Sequence, residues 1–275
     1  ISGNLEEERD EVFEQIEKTC QRHHIILLVG NNVDVFLWEA LRSVPEGGVY
    51  VIPETERAAE RLREQSQRLP QLRAPIVLDP VNDLNPEALL AVHGCEEIRF
   101  DWVIARNFLA KKCNKTEVLK SLVGLLCAAG CLILSEIAAK HAPRLYQLVQ
   151  SALPADLLKK IQNAEEKMYE NPDEPKVNWK EDDLPEMAER AGCKHCVVKR
   201  LHQEKQLHIS PEQVDQWFGS IETDTENAVG YGQKLKTDLN DDEIRETKNL
   251  YRKHLTKQPV KWSTMRAVCT AKKSS

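Results

Sequence analysis

The stretch IILLVGNNVD, residues 25–34, joins an apolar run to a tight polar turn, an arrangement that many nucleotide-binding α/β proteins use to hold a cofactor. In such turns two or three glycines let the backbone approach the ligand and accept a positive φ. Here Gly30 is followed by Asn32 and Asp34, residue types that also tolerate a left-handed backbone. The turn can therefore keep its shape while side chains narrow the pocket. The alternative is a plain turn in which Asn or Asp caps the following helix.

Two further polar positions come directly after predicted strands. Glu54 follows the run VYVI, about 20 residues beyond the glycine turn, where such folds place an acid that holds ribose hydroxyls. An ordinary solvated glutamate is the alternative. Arg106 and Asn107 follow the run FDWVIA at the carboxyl edge of the predicted sheet, where open α/β folds bind ligands. These are candidate binding residues; the pattern identifies no catalytic residue.

The sequence CKHC, from Cys193 to Cys196, has the spacing of a metal-binding or redox pair. Structural zinc needs four ligands; His195, His202 and His208 are near in sequence, but no second CxxC pair follows. A redox pair should precede a helix, whereas this pair leads into a predicted strand. We therefore expect two half-buried cysteines in a strand and no metal site. The remaining cysteines are scattered in mostly apolar or helical contexts, as is typical of reduced thiols in a cytoplasmic protein.

The elements that would carry these residues alternate between strand and helix. Helix 5–22 places Val12, Ile16 and Cys20 on one face. Short apolar runs without polar alternation, as in strands covered on both faces, recur along the first half. Such alternation predicts a parallel sheet with right-handed crossovers and helices on both faces. The predicted strands are 25–29, 49–52, 76–78, 100–105 and 131–135.

The second half of the chain is predicted to be mostly helical. A helix over 154–170 precedes a turn-rich break. The run 196–209 predicts a strand, a polar turn and a short returning strand. Asn240 and Glu243 form a capping box that begins a helix ending near residue 257, and a final strand follows.

The composition is that of an ordinary globular protein. The chain has 275 residues, of which 41% are hydrophobic and 30% charged, enough for one large α/β domain with an insertion. Its net charge of −6 comes without a long basic block, which argues against a dedicated nucleic-acid surface. No apolar run approaches the roughly 18 residues of a membrane helix, and no signal peptide is evident, so we expect a cytoplasmic protein. Because no initiator Met is present, we expect a fragment of a longer chain or a cloning remnant at residues 1–4.

Several stretches together resemble class I S-adenosylmethionine-dependent methyltransferases. The run FDWVIARNFL, continued by VLKSLVGLLCAAGCLILSE, looks like the family's fourth and fifth strands with the helix between them. DDLPEMAERAGCKHCVVKRL is similar to its next helix, glycine turn and sixth strand, and STMRAVCTAKK to its last antiparallel strand. The resemblance implies a Rossmann-like methyltransferase sheet, mostly parallel with a final antiparallel strand, with helical insertions. It also implies S-adenosylmethionine as cofactor.

The family's cofactor motif is incomplete in this sequence. Leu28 stands where the resemblance implies an acid, Gly30 matches the first glycine, and Asn32 and Asp34 replace the second and third. The resemblance places Asp79, after the third strand, near the adenine amine of the cofactor; an Asp-Pro turn is the alternative. The run RNFL after the fourth strand lacks the two prolines found in methyltransferases that act on nucleobase amines, so we do not assign that activity.

A narrower resemblance concerns the C-terminal part of the chain. WFGSIETD, YGQKL and HLTKQPVKW look like the C-terminal extension fused to some replication-associated recombination AAA+ ATPases. The chain lacks the GxxxxGK[ST] phosphate loop, so it would not itself hydrolyse ATP. The resemblance implies a fused or associated AAA+ ATPase as a partner.

These observations give one domain plan and competing functions. The plan has an N-terminal helix at 1–22, a Rossmann-like core at 23–153, a helical insertion at 154–180, and a return to the core at 181–275 with a second insertion at about 203–260. One function is a binding or regulatory module with a degenerate S-adenosylmethionine site. The other is an active methyltransferase of unknown acceptor, in which the reaction is accelerated mainly by alignment of the nucleophile with the sulfonium. A dehydrogenase is the poorest fit because GxGxxG is absent.

Overall fold

The predicted strands assemble into a seven-stranded sheet in the computed structural model, which describes residues 3–80, 90–95, 97–219 and 230–274. The order across the sheet is β3-β2-β1-β4-β5-β7-β6. β1 to β5 pair in parallel, and β7 runs antiparallel to β5. The strands are β1 Ile25–Gly30, β2 Gly48–Pro53, β3 Ile76–Val77, β4 Phe100–Arg106, β5 Leu126–Ile137, β6 Cys193–Leu207 and β7 Val260–Lys273. The predicted α/β class, the Rossmann-like order and the final antiparallel strand are confirmed.

Helices cover both faces of this sheet because its central strands are apolar on both sides. Leu27 and Val29 of β1 pack in one core, whereas Ile26 and Leu28 pack in the other. The helices among the described residues are α1 Gly3–Glu17, α2 Leu37–Ser43, α3 Glu56–Ser66, α4 Lys115–Gly124, α5 Leu145–Val149, α6 Ala155–Glu170, α7 Asp183–Arg190, α8 Pro211–Phe218, α9 Tyr231–Leu235 and α10 Asp241–Leu255. Within the described ranges, no helix has both the length and the apolar character needed to cross a membrane.

Three elements differ from their predicted extents. α1 ends at Glu17 rather than near residue 22. β5 begins at Leu126, before the predicted start of this strand at residue 131, because a bulge opposite Phe100 and Trp102 keeps both sides of Gly130 in the strand. The predicted strand, turn and returning strand near 196–209 form the single strand β6. The predicted capping box at Asn240 is confirmed, since the side chains and backbone amides of Asn240 and Glu243 bond reciprocally.

The chain divides into two compact units. The first comprises Ile1–Ala138, Trp179–Leu201 and Met265–Ser275, and it contains β1 to β5. The second comprises Ala139–Asn178 and His202–Thr264. The sequence-based plan starts the first insertion at 154 and the second at about 203, and it stays a prediction about domain organisation. Residues 220–229 of the predicted second insertion lie outside the described residues.

The second unit has its own core, built around a buried carboxylate. Glu165 accepts hydrogen bonds from the backbone N–H of Tyr146 at 3.1 Å, the hydroxyl of Tyr251 at 3.3 Å and the hydroxyl of Tyr231. Burial raises the pKa of Glu165 despite these donors. Tyr231 also stacks on Tyr251, and Phe218 meets both rings edge-on. These aromatic rings are therefore engaged in packing within the unit.

Candidate functional site

The carboxyl ends of β1, β2 and β4 bring several predicted site residues together. Gly30, the last residue of β1, pairs with Pro53 on one side and with Arg106 on the other. Glu54 follows Pro53 directly, so it lies at the same edge. This is the edge at which open α/β sheets bind ligands.

Gly30 is required here by the neighbouring strand. Its φ is +117°, and a Cβ built on it would collide with the carbonyl oxygen of Arg106. That same oxygen accepts a hydrogen bond of 2.9 Å from the backbone N–H of Asn31. The close approach of β1 and β4 therefore accounts for the glycine without any ligand.

The two residues that replace the family's glycines are in the turn after β1. Asn32 adopts the left-handed conformation at φ 50° and ψ 37°, as its residue type allows. It precedes the 3-10 turn Val33–Phe36, but its side chain makes no capping hydrogen bond to the described residues. The carboxylate of Asp34 lies 3.2 Å from the guanidinium of Arg61 on α3. The turn thus keeps the predicted backbone shape, and its acid is paired.

The space at this edge is small. Glu54, expected to face ribose hydroxyls, forms an ion pair of 2.7 Å with Lys111. The pocket has a volume of about 40 Å³, room for a few waters at most. Ligand pockets in proteins commonly have roughly 300–1,000 Å³. Its lining includes Gly30, Ile52, Pro53, Glu54, Phe108 and Lys111.

Asp79 is placed after β3, as predicted, and is bound to neighbouring side chains. Its carboxylate pairs with the guanidinium of Arg63 and lies 3.2 Å from Nε2 of His93. More than half of its side chain is exposed. The ion pair with Arg63 makes Asp79 a link between β3 and α3.

Arg106 is buried and belongs to a charged network that was not predicted from the sequence. Its guanidinium binds both carboxylate oxygens of Glu8 on α1, at 2.8 and 2.9 Å, and the carbonyl of Asn31 at 3.1 Å. Glu8 also accepts a 2.7 Å hydrogen bond from Ser135 on β5 and lies 3.2 Å from Arg266 on β7. Both ends of the ion pair are almost fully excluded from water. The predicted ligand-binding arginine is therefore committed to an internal partner.

Arg266 extends this network to the loop after β4. Its Nη1 donates to the side-chain oxygen of Asn107 at 3.0 Å and to both oxygens of Ser135, whereas its buried Nε has no partner among the described residues. Burial lowers the pKa of Arg266 to about 10, and the nearby Glu8 opposes that change. Asn107 itself has a left-handed φ of 46°. The network thus connects α1, β4, β5 and β7 at one edge of the sheet.

A second buried carboxylate holds the loop that follows β4. Glu136 on β5 accepts hydrogen bonds from the backbone N–H groups of Phe108 at 2.7 Å, Leu109 at 2.9 Å and Ala110 at 3.3 Å. Burial raises the pKa of this fully buried carboxyl, and the three amides oppose the rise. The donors that face Glu136 thus fix the loop, and its carboxylate does not reach an open site.

The cysteine pair is in β6, as predicted. Cys193 is buried, and His195 between the two cysteines has a positive φ of 54°, which marks an irregular strand. Burial, together with the neighbouring Cys196, raises the pKa of Cys193 to about 12. Across the part of the chain that the structure describes, no three His, Cys, Asp or Glu side chains form a group that could hold a metal ion.

Sequence reasoning missed Glu8, Ser135, Glu136 and Arg266. One pattern identifies Glu8: it lies four residues before Val12, in register with the apolar face of α1. Ser135 and Glu136 interrupt the end of an apolar strand. A charged side chain in register with apolar neighbours predicts a buried partner of opposite charge.

Comparison with solved structures supports the fold. A candidate methyltransferase from Bacillus halodurans superposes over 97% of this chain and 99% of its own, with a TM-score of 0.53 and 14% identity. The chain has the Rossmann-like fold of methyltransferases. The CurJ carbon methyltransferase matches over 99% of this chain and 54% of its own, with a TM-score of 0.50 and 14% identity. No protein-family model and no curated protein sequence matches the chain.

Proposed function

We propose that this methyltransferase fold serves as a binding or regulatory module in which the S-adenosylmethionine site is closed. The small pocket at the carboxyl edge carries the proposal. Its volume of about 40 Å³ is far below that of a ligand pocket, and its lining includes the paired side chains of Lys111 and Glu54. The residues present at this edge do not fit the cofactor.

Electrostatics supports the same conclusion. Asp34 adds a side chain where the family leaves a glycine, and its carboxylate is paired with Arg61 at 3.2 Å. Leu28, which replaces the family's acid, is fully buried in the core. Arg106 is already neutralised by Glu8, so it offers no free charge to a ligand. A low-micromolar affinity corresponds to about −8 kcal/mol, and losing about 3 kcal/mol of it would leave binding near the limit of detection.

Titration calorimetry of the full chain with S-adenosylmethionine tests this proposal. We expect no measurable heat of binding up to millimolar ligand. A dissociation constant in the low micromolar range would overturn it and restore the active methyltransferase. The variant Lys111→Ala removes the ion pair at the pocket, and Asn32→Gly with Asp34→Gly restores the family's glycines. Binding that appears only in the combined variant would support a closed site, and Lys120→Ala is the matched lysine control, because Lys120 pairs with Glu117 on α4 and does not line the pocket.

The proposal also includes a partner. The resemblance of the C-terminal stretches favours a fused or associated AAA+ ATPase as the protein that this module serves. Co-purification of the chain with such an ATPase, with and without nucleotide, tests this part separately from cofactor binding. An ATPase that elutes apart from the chain under both conditions would contradict it.

A further inference from the structure

A second pocket lies at the opposite end of the sheet, where β2 begins. Its volume is about 330 Å³, within the range of binding pockets. Gly48, the first residue of β2, is part of its wall, so it lies one strand length, roughly 20 Å, from the carboxyl edge. The residues that line it include Trp38, Leu41, Arg42, Leu69, Arg73 and Ala74. We call this site the Trp38 pocket.

The rim of the Trp38 pocket carries an exposed tryptophan. Half of the surface of Trp38 is accessible, whereas Trp102 and Trp179 are 3% and 2% exposed. Leu41, Leu69 and Ala74 supply further apolar surface to the pocket. Exposed tryptophan beside an apolar pocket is the typical composition of a binding hot spot.

Positive charge flanks the apolar surface. Arg42 is largely exposed and pairs with Glu39, while Arg73 is exposed and forms no ion pair with the described residues. Between Glu64 and Asp79 the sequence contains two arginines and no acidic residue. The exposed Glu46, between the lining residues Pro45 and Gly47, is paired with Arg22 at 2.7 Å, so Arg73 is the lining charge that has no ion pair among the described residues. An unpaired arginine beside apolar surface favours a ligand that carries acidic groups at this place.

Among the described residues, two of the three other exposed large apolar side chains do not suit this pocket in a second copy. Val197 lies in a basic run with Lys199 and Arg200, and Ile76 is close to Arg73 in sequence. The third, Val92, is followed in sequence by Glu96 and Glu97, so the test must separate self-association from the binding of another protein. The strongly acidic helix α1 already buries its apolar face in the core.

We propose that the Trp38 pocket docks a segment of a partner protein in which a large apolar side chain is flanked by acidic residues. The apolar side chain enters the pocket beside Trp38. The carboxylates of the segment pair with Arg73 and compete with Glu39 for Arg42. This site is independent of the closed cofactor site, since the two share no residue.

Fluorescence polarisation with two synthetic peptides tests the proposal on the full chain. The acidic probe is rhodamine-labelled Asp-Glu-Asp-Leu-Phe-Asp-Glu, and the basic probe replaces each acid with lysine. We expect a dissociation constant on the order of 10–100 μM for the acidic probe and at least tenfold weaker binding of the basic probe. We expect Trp38→Ala and Arg73→Glu each to weaken the acidic probe about fivefold or more.

Arg57→Glu is the matched control, because Arg57 is exposed on α3 and does not line the pocket. It makes the same change in net charge as Arg73→Glu and should leave binding unchanged. Equal losses in the two variants, equal affinity for the two probes, or no binding of the acidic probe would each overturn the proposal. Self-association that Trp38→Ala abolishes would also overturn it, because the occupant would then be a second copy. Far-ultraviolet circular dichroism of each variant confirms that it is folded.

Discussion

Replacing Glu8 with alanine should destabilise the first unit far more than replacing an exposed residue of α1. The substitution removes the carboxylate that binds Arg106 at 2.8 and 2.9 Å, accepts from Ser135 at 2.7 Å and lies 3.2 Å from Arg266. It leaves two guanidinium groups in a region that water does not reach.

The expected magnitude follows from the burial of the pair. Removing one partner of a buried ion pair typically costs about 3–5 kcal/mol, because the other charge is left without compensation. Folded domains are stable by only about 5–15 kcal/mol, so this loss is a large fraction of the total. The melting temperature should fall by roughly 10 °C for a unit of this size.

The measurement must report on the first unit alone, because the chain has two compact units. Hydrogen exchange of the amides of β4 and β5 across a urea series does so. The control is Glu7→Ala, which removes the neighbouring glutamate of the same helix, whose side chain is exposed. We expect the control to leave the free energy of opening unchanged.

A double mutant separates the ion pair from simple loss of packing. Arg106→Met removes the main positive partner and keeps an unbranched apolar chain. Glu8→Ala combined with Arg106→Met should cost less than the sum of the two single changes, since fewer charges remain unpaired. If Glu8→Ala cost no more than Glu7→Ala, or if the two costs were strictly additive, the buried network would not have the role that we assign to it.

Three further expectations follow from the same structure. Gly30→Ala should prevent stable folding, because of the collision with the neighbouring strand, whereas Gly94→Ala should cost only about 1–2 kcal/mol for its positive φ, since nothing lies within 4 Å of the added Cβ; thermal melts compare them. Iodoacetamide at pH 8 should alkylate exposed Cys113 well before Cys193, whose pKa of about 12 keeps it protonated, and mass spectrometry that found the reverse order would contradict this. Deleting residues 258–275 should abolish cooperative unfolding, because β7 lies between β5 and β6; a truncated chain that melts as sharply as the intact one would contradict the role of that strand.

The sequence predicted the sheet well because its evidence is local and repeated. Most of the predicted strands are apolar runs, and predicted helices separate them along the sequence, a pattern that favours a parallel sheet. The resemblance of STMRAVCTAKK to the family's last antiparallel strand is also confirmed, since β7 runs antiparallel to β5. Strand ends were less predictable: the predicted strand starts at Cys131, but a bulge extends β5 by five residues, back to Leu126.

The site was less predictable because its partners are far apart in sequence. Glu8 and Arg106 are 98 residues apart, and Glu8 and Ser135 are 127 apart. Composition cannot identify which of the six consecutive charged residues at 6–11 faces inward. The helical period can, since Glu8 shares the face of Val12 and Ile16. Only the fold, however, shows that the guanidinium of Arg106 lies opposite that position.

The network also explains how such an edge can remain stable without a ligand. Parallel strands that end together bring polar backbone groups and side chains to one edge of the sheet. In ligand-binding folds the ligand forms hydrogen bonds with many of these groups. Here Glu136 accepts three backbone amides of the loop after β4, and Glu8 neutralises Arg106. Opening this edge for a cofactor would expose or unpair these groups. Of the polar residues that look like a binding site in sequence, Arg106 and Glu54 are thus paired within the protein, with Glu8 and with Lys111.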